Sequence, residues 1–344
     1  MERAVMNTAN LFLKKGHPVT LVILDKTSES FYPILPGIQV VCQPLSFGIT
    51  PEGNIITRKI KLLSDVLQLR KILKKTSPAC IISSEYPFTV AAILAGGKKF
   101  GRVISWEHHH FGWLEKNRFW NFLCNQAYPK LDAIVCLNKK EETYYKQLGP
   151  TYIIPNFVEN TEGTVSSSHN KNILTVGWLI PRKGTDLLLQ AAGTVLSKYP
   201  DWTWKLIGEG ELKEKVVQFI RENKLEGRLL LQSPVSSIIS EEYLHASLFV
   251  LASRYEAFPM VLLEAMSSGV PCVSFDCSSG PSDIIKHDID GILVEKENSE
   301  KLAEAISSLI EDYTKRKKMG ESAFKNMQQF SSQAIYLLWG KVLG

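Results

Sequence analysis

Short apolar segments alternate with amphipathic ones along the whole chain, and the alternation stops at Pro155-Asn156 and begins again. That pattern limits the chain to α/β architecture built as two parallel-sheet domains, because a buried parallel strand reads as a continuous apolar run and its crossover as an amphipathic helix. The first series runs VTLVIL at 19–24, IQVVCQ at 38–43, ACIIS at 79–83, RVISWE at 102–107 and DAIVCL at 132–137. The second runs NILTVG at 172–177, WTWKLIG at 202–208, RLLLQ at 228–232, LFVLA at 248–252 and PCVSF at 271–275. With 344 residues, 44% hydrophobic and 22% charged, there is material for two cores. The expected divisions are 1–155, 156–325 and a closing helical segment over 326–344.

No apolar run reaches membrane-spanning length, and the start MERAVMNTANLF lacks the basic-then-apolar pattern of a signal peptide, so a cytoplasmic location is expected. The six cysteines, Cys42, Cys80, Cys124, Cys136, Cys272 and Cys277, fall mostly within apolar strands with no zinc spacing, which predicts buried free thiols. The net charge of +5 divides unevenly: residues 1–155 hold 20 Lys+Arg against 11 Asp+Glu, and residues 156–344 hold 20 against 24. Much of the basic excess lies in RKIKLLSDVLQLRKILKK, from Arg58 to Lys75, where Ile60, Leu63, Leu67 and Ile72 read as a helical stripe flanked by cations. Such a helix suits an anionic membrane surface, and equally a position on the sheet with its lysines reaching back to water. Nucleic acid is not expected, since no recognition module accompanies the charge.

The segment SRYEAFPMVLLEAMSSG, from Ser253 to Gly269, carries Glu256 in a predicted loop and Glu264 eight positions later, in the second turn of a helix that Pro259 should open. A helix N-terminus beside such a loop offers free N–H groups to a phosphate or a polar sugar. Taken alone, the pair favours the ordinary reading over a ligand site: a surface glutamate in a turn and a helical glutamate in an ion pair.

The whole string, continued through PCVSFDCSSGPSDIIKHDIDGILV from Pro271 to Val294, resembles the E-x7-E signature of retaining glycosyltransferases of family 4, which have the GT-B fold. The resemblance implies two Rossmann-like domains facing a cleft, with the tail FSSQAIYLLWGKVL crossing back to the first domain and IIPNFVE at 153–159 as the junction. It implies a nucleotide-sugar donor, with Glu256 against the transferred sugar and Glu264 accepting from the ribose hydroxyls; a carboxylate accepts two vicinal hydroxyls at once. VGWLIPRKG, from Val176 to Gly184, resembles the family's phosphate-binding turn, which makes Lys183 the first candidate for the diphosphate and Arg182 the second; Trp178 stands where many members have arginine. Gly208 and Gly210 in IGEGEL, with Glu209 between them, are expected near the nucleotide. So are Arg254 and Tyr255, and the backbone of Phe258, Pro259 and Met260.

Trp106-Glu107-His108-His109-His110-Phe111 follows a strand directly, where α/β domains place ligand loops. The resemblance implies that a histidine here faces the sugar, His108 first by position and His109 second. Adjacent histidines do not converge on one ion, so no metal or other cofactor is expected. Asp288-Ile289-Asp290 before Gly291 reads as a turn rather than a metal motif.

The implied activity is retaining transfer of a hexose or N-acetylhexosamine from a UDP-sugar to a saccharide acceptor. FPMVLLEAM and SSGPSDII most resemble bacterial members that assemble polysaccharide or lipopolysaccharide, which implies a lipid-linked acceptor at the inner membrane face. Residues Glu256, His108 and Lys183 are the expected catalytic group, with His109 also on the acceptor and sugar side. The beginning departs from the family. Members open with a strand and a glycine-rich loop before a helix starting GG-x-ER, of which Met1-Glu2-Arg3 matches only the end. A misassigned start or truncated gene is the expectation, and its companion reading is a non-catalytic partner that retains nucleotide binding.

Overall fold

The computed structural model describes residues 1–24, 30–45, 47, 55–109, 116–159, 165–166, 169–234 and 236–344. His110 and Phe111 lie outside them, as do the side chains of Arg58 and Lys59 in the basic helix. The chain divides into two compact units, Met1–Pro155 with Ile335–Gly344, and Asn156–Ala334.

In the first unit β1 (Thr20–Ile23) pairs in parallel with β2 (Gln39–Cys42). A separate parallel sheet joins β3 (Cys80–Ser84), β4 (Arg102–Trp106), β5 (Ala133–Cys136) and β6 (Thr151–Ile153) in that order. Strands β4 and β5 are buried almost throughout, as apolar runs without alternation should be, whereas β3 is mostly half-buried. The opening helix Glu2–Lys14 buries Ala4, Thr8, Ala9 and Phe12. Phe12 meets the fully buried Trp339 of the last helix edge-on at 5.5 Å, and Trp339 meets Trp106 at 5.3 Å.

The basic stretch is one helix, Ile55–Thr76. It packs through Leu62, Val66, Leu69 and Leu73 and leaves Ile60, Leu63 and Leu67 at 64%, 63% and 53% exposure. Ile72 does not belong with those three: at 100° per residue it lies about 120° around the axis from Ile60, and it is half-buried.

In the second unit six parallel strands take the order β12-β11-β10-β7-β8-β9, with β7 Asn172–Val176, β8 Thr203–Ile207, β9 Leu229–Gln232, β10 Leu248–Leu251, β11 Cys272–Asp276 and β12 Gly291–Glu295. The chain builds outward from β7 to β9, then returns to the other side of β7 to lay down β10, β11 and β12. The order therefore reverses between β7 and β10, and in open parallel sheets ligands bind outside the carboxyl ends of the strands at such a reversal. Leu174, Trp204, Phe249, Val273 and Leu302 are among its fully buried residues. Strands β6 and β12, both at sheet edges, were not among the apolar runs read as strands. The six cysteines are free thiols, four of them buried.

Candidate active site

The reversal between β7 and β10 brings Lys183 and Glu256 together although 73 residues separate them. Lys183 closes a 3-10 turn, Pro181–Lys183, after β7, and its Nζ donates to Glu256 Oε1 at 2.5 Å. The buried Ser253 hydroxyl donates to the same oxygen at 2.7 Å, and the Ser279 hydroxyl holds the Glu256 carbonyl at 2.8 Å. Gly184 makes the close approach feasible: its φ is +65°, and a Cβ there would stand 1.9 Å from the Ala252 carbonyl oxygen.

Arg254 ties the same two loops. Its guanidinium donates bidentately to Asp186 at 2.7 Å on each branch and to the Pro181 carbonyl at 2.6 Å. The Arg254 hydrogen bonds hold the Asp186 carboxyl below its ordinary value. Arg182 is exposed, and Trp178 is 64% exposed in the loop between β7 and Lys183. Glycines at 208 and 210 are required by loop packing, since a Cβ at Gly208 would lie 2.0 Å from the Gly177 oxygen and one at Gly210 2.4 Å from the Leu179 oxygen. Glu209 between them is engaged by Lys213 at 2.9 Å.

The helix after β10 is Met260–Ser267, and Pro259, with extended backbone, is its N-cap rather than its first residue. Phe258 packs on Phe330 at 5.5 Å, and its carbonyl accepts from Asn156 Nδ2 at 3.2 Å. Glu264 lies in the second turn, buried, with Oε2 accepting from the Tyr243 hydroxyl at 2.8 Å. Asp290 uses Oδ1 to accept the Lys286 N–H at 2.7 Å, and Asp288 sits at φ +60° in the turn before β12. Among the described residues no three His, Cys, Asp or Glu side chains gather as metal ligands would.

In the first unit a second cluster occupies the carboxyl ends of the adjacent strands β3 and β4. Glu85, one residue past β3, adopts φ +80°, ψ 153°, a region that side chains rarely enter. Its buried carboxylate accepts from the His108 N–H at 3.0 Å and meets His109 Nδ1 at 2.6 Å. Glu107 is buried beside it and accepts from the hydroxyls of Ser105, Tyr128 and, at 3.3 Å, Tyr145. Burial, then the Glu85 charge, push the Glu107 carboxyl above its ordinary value. Burial also pushes His108 well below its ordinary value, so this imidazole is neutral, with Nε2 lacking a hydrogen-bond partner among the described residues. The histidines were legible in the sequence and Glu85 was not. Its signal is a lone acidic residue between an apolar run and the helix Tyr86–Leu94, whose second residue is proline.

Paired charges on loops at the reversal point, with a buried acceptor in the following helix, define a site suited to an anionic, hydroxyl-rich ligand. A family model described as "Glycosyl transferases group 1" matches residues 159–326, and one described as "Glycosyltransferase Family 4" matches residues 1–162. The chain belongs to this family and is a glycosyltransferase. An uncharacterized glycosyltransferase of Haemophilus influenzae is 26% identical over 99% of this chain and 95% of its own length. A Campylobacter jejuni enzyme, described as a GalNAc-alpha-(1->4)-GalNAc-alpha-(1->3)-diNAcBac-PP-undecaprenol alpha-1,4-N-acetyl-D-galactosaminyltransferase, is 26% identical over 99% of this chain and 94% of its own. Among solved structures, Anabaena Alr3699/HepE in complex with UDP matches with a TM-score of 0.79 at 17% identity, over 99% of this chain and 95% of that one. The fold is GT-B.

Proposed function

We propose that this chain transfers a hexose or N-acetylhexosamine from a UDP-sugar, with retention at the anomeric carbon, to a lipid-linked saccharide in bacterial surface polysaccharide or lipopolysaccharide assembly. The observation that carries the reading is the Lys183–Glu256 pair at the β7/β10 reversal, with Glu264 in the second turn of the helix that follows. Before a donor arrives Lys183 is neutralised by Glu256; a diphosphate, with more charge than one carboxylate, draws the flexible ammonium to itself. The anomeric C–O bond to the diphosphate then breaks, the acceptor oxygen bonds to the same face of that carbon, and the acceptor's proton passes to the departing β-phosphate. Lys183 stabilises the charge that develops on the leaving group, Glu256 orients the sugar, Glu264 holds the ribose, and His108, with His109, meets the sugar and acceptor. Arg254 serves by clamping the two loops. The relatives named above, one acting on a PP-undecaprenol-linked saccharide and one bound to UDP, support donor and acceptor class.

The helix Ile55–Thr76 supports action at a membrane surface. Ile60, Leu63 and Leu67 are exposed along a line that continues into Lys71 and Lys74, also exposed, on an otherwise basic first unit. Among the described residues no helix is long and apolar enough to cross a membrane.

The deciding experiment is release and transfer of sugar from a panel of UDP- and GDP-sugars. Turnover with one UDP-sugar and a product of unchanged anomeric configuration is the expected result; UDP binding without turnover on any donor or acceptor would replace this reading with a nucleotide-binding partner. Flotation with phosphatidylglycerol vesicles tests the surface role, and undiminished binding of an Ile60→Ser, Leu63→Ser, Leu67→Ser triple variant would remove the helix from it.

A further inference from the structure

The buried contact between Tyr243 and Glu264 lies on two different helices, and nothing in the proposed chemistry uses the tyrosine. Tyr243, only 2% exposed, is on the helix Ser236–His245, and its hydroxyl donates to Glu264 Oε2 at 2.8 Å. Its position is fixed from two sides. One residue earlier, Glu242 takes both carboxylate oxygens to Lys205 of β8, at 2.7 and 2.6 Å, which anchors the helix to the sheet. The Tyr243 ring itself rests against Phe249 of β10, centroids 5.8 Å apart. Glu264 is fixed at its backbone as well, because its carbonyl accepts from the hydroxyls of Ser267 and Ser268 at 2.9 and 3.1 Å.

From this geometry we infer that Tyr243 is a positioning residue that sets the plane of the Glu264 carboxylate for two vicinal ribose hydroxyls, and so determines how strongly the site prefers ribonucleotides to deoxynucleotides. The inference rests on Glu264 being the ribose acceptor. A glutamate has several rotatable bonds, and a vicinal diol is gripped by both carboxylate oxygens only when their plane is aligned with it. A fixed donor on Oε2 removes that freedom before the nucleotide arrives, so the ligand does not bear the ordering cost. A site committed to hydrogen-bonding a hydroxyl also discriminates sharply against an analogue that lacks it.

The test is calorimetric binding of UDP, 2′-deoxy-UDP and 3′-deoxy-UDP to the whole chain and to Tyr243→Phe, Glu264→Gln and the double variant. The wild-type chain is expected to prefer UDP by about 10- to 100-fold, the range of a charge-assisted hydrogen bond. Tyr243→Phe is expected to narrow the preference to about threefold by weakening UDP alone, with the deoxy nucleotides bound as before, and to add nothing in the Glu264→Gln background. Replacing Tyr243 by 4-aminophenylalanine, which keeps an N–H donor at the same place, restores the preference and guards against a phenylalanine variant that is merely damaged. A Tyr243→Phe chain that discriminates as well as wild type overturns the inference. A wild-type chain that binds UDP without discriminating overturns the ribose reading itself, so the two failures are told apart by the wild-type measurement.

Discussion

The two clusters at strand ends are built in opposite ways. In the second unit, the loops after β7 and β10 join residues far apart in sequence, and their charges are matched: Lys183 with Glu256, Arg254 with Asp186. In the first unit, adjacent strands β3 and β4 bring two carboxyls and two histidines close together, with hydroxyls and a backbone N–H donating to the carboxylates, and Glu85 is held at positive φ. The first arrangement suits a ligand that is met by exchanging one partner for another, as the move proposed above for Lys183, from carboxylate to phosphate, requires. The second is held by hydroxyls, backbone and strain, which suits fixing a histidine turn rather than binding charge.

If that contrast is right, Lys183→Ala should be the most damaging change to activity, lowering turnover by about 10²- to 10³-fold, in the range of losing one stabiliser of a developing anion. Initial rates with the best UDP-sugar measure it, and a loss under tenfold would move the diphosphate to Arg182. Gly184→Ala should act on folding instead. Its positive φ and the Ala252 oxygen in the way predict a loss of roughly 3 kcal/mol, read as a denaturation midpoint; an unchanged midpoint would mean the two loops need not approach so closely. Glu85→Gln keeps the shape and removes the charge facing His109. Turnover should fall about tenfold with UDP affinity unchanged, and a matching loss of UDP affinity would erase the distinction between the clusters.

The smallest effects are those of pH on stability, and they have opposite signs within the first cluster. The His108 proton affinity is lowered on folding, so its contribution is complete above its ordinary 6.5 and is lost as pH falls through that value toward its native one. Glu107 is raised, so its contribution is complete below its ordinary 4.5 and is lost as pH rises toward its native value. Denaturation midpoints from pH 4 to 8 should therefore show His108→Gln losing less stability on acidification than wild type, and Glu107→Gln losing less on the alkaline side. Parallel curves for all three chains would contradict the burial of both groups.

Ten of the twelve strands among the described residues are legible because an unbroken apolar run is what burial on both faces of a parallel sheet selects. The edge strands β6 and β12 escaped because three to five residues beside a turn carry too little pattern, and only pairing with β5 and β11 defines them. Glu256, Glu264 and Lys183 stand out in the sequence through strings that resemble the family's motifs, and the fold brings Lys183 onto Glu256. Ile72 leaves the exposed stripe because the 100° step per residue carries it to another face of the helix, where it is half-buried.

The sequence by itself determined the class of fold, the family, and the side chains with the chemistry to hold a nucleotide sugar, since residue type and local spacing are properties of the chain. What only the tertiary structure decided is partnership: that Lys183 rests on Glu256, that Arg254 is consumed by Asp186, that Gly208 and Gly210 are small for the sake of a neighbouring loop, and that Glu85 and Tyr243 stand behind His109 and Glu264. Each of those contacts joins segments separated in sequence, and their distance is set by strand order and sheet packing, which no local pattern encodes.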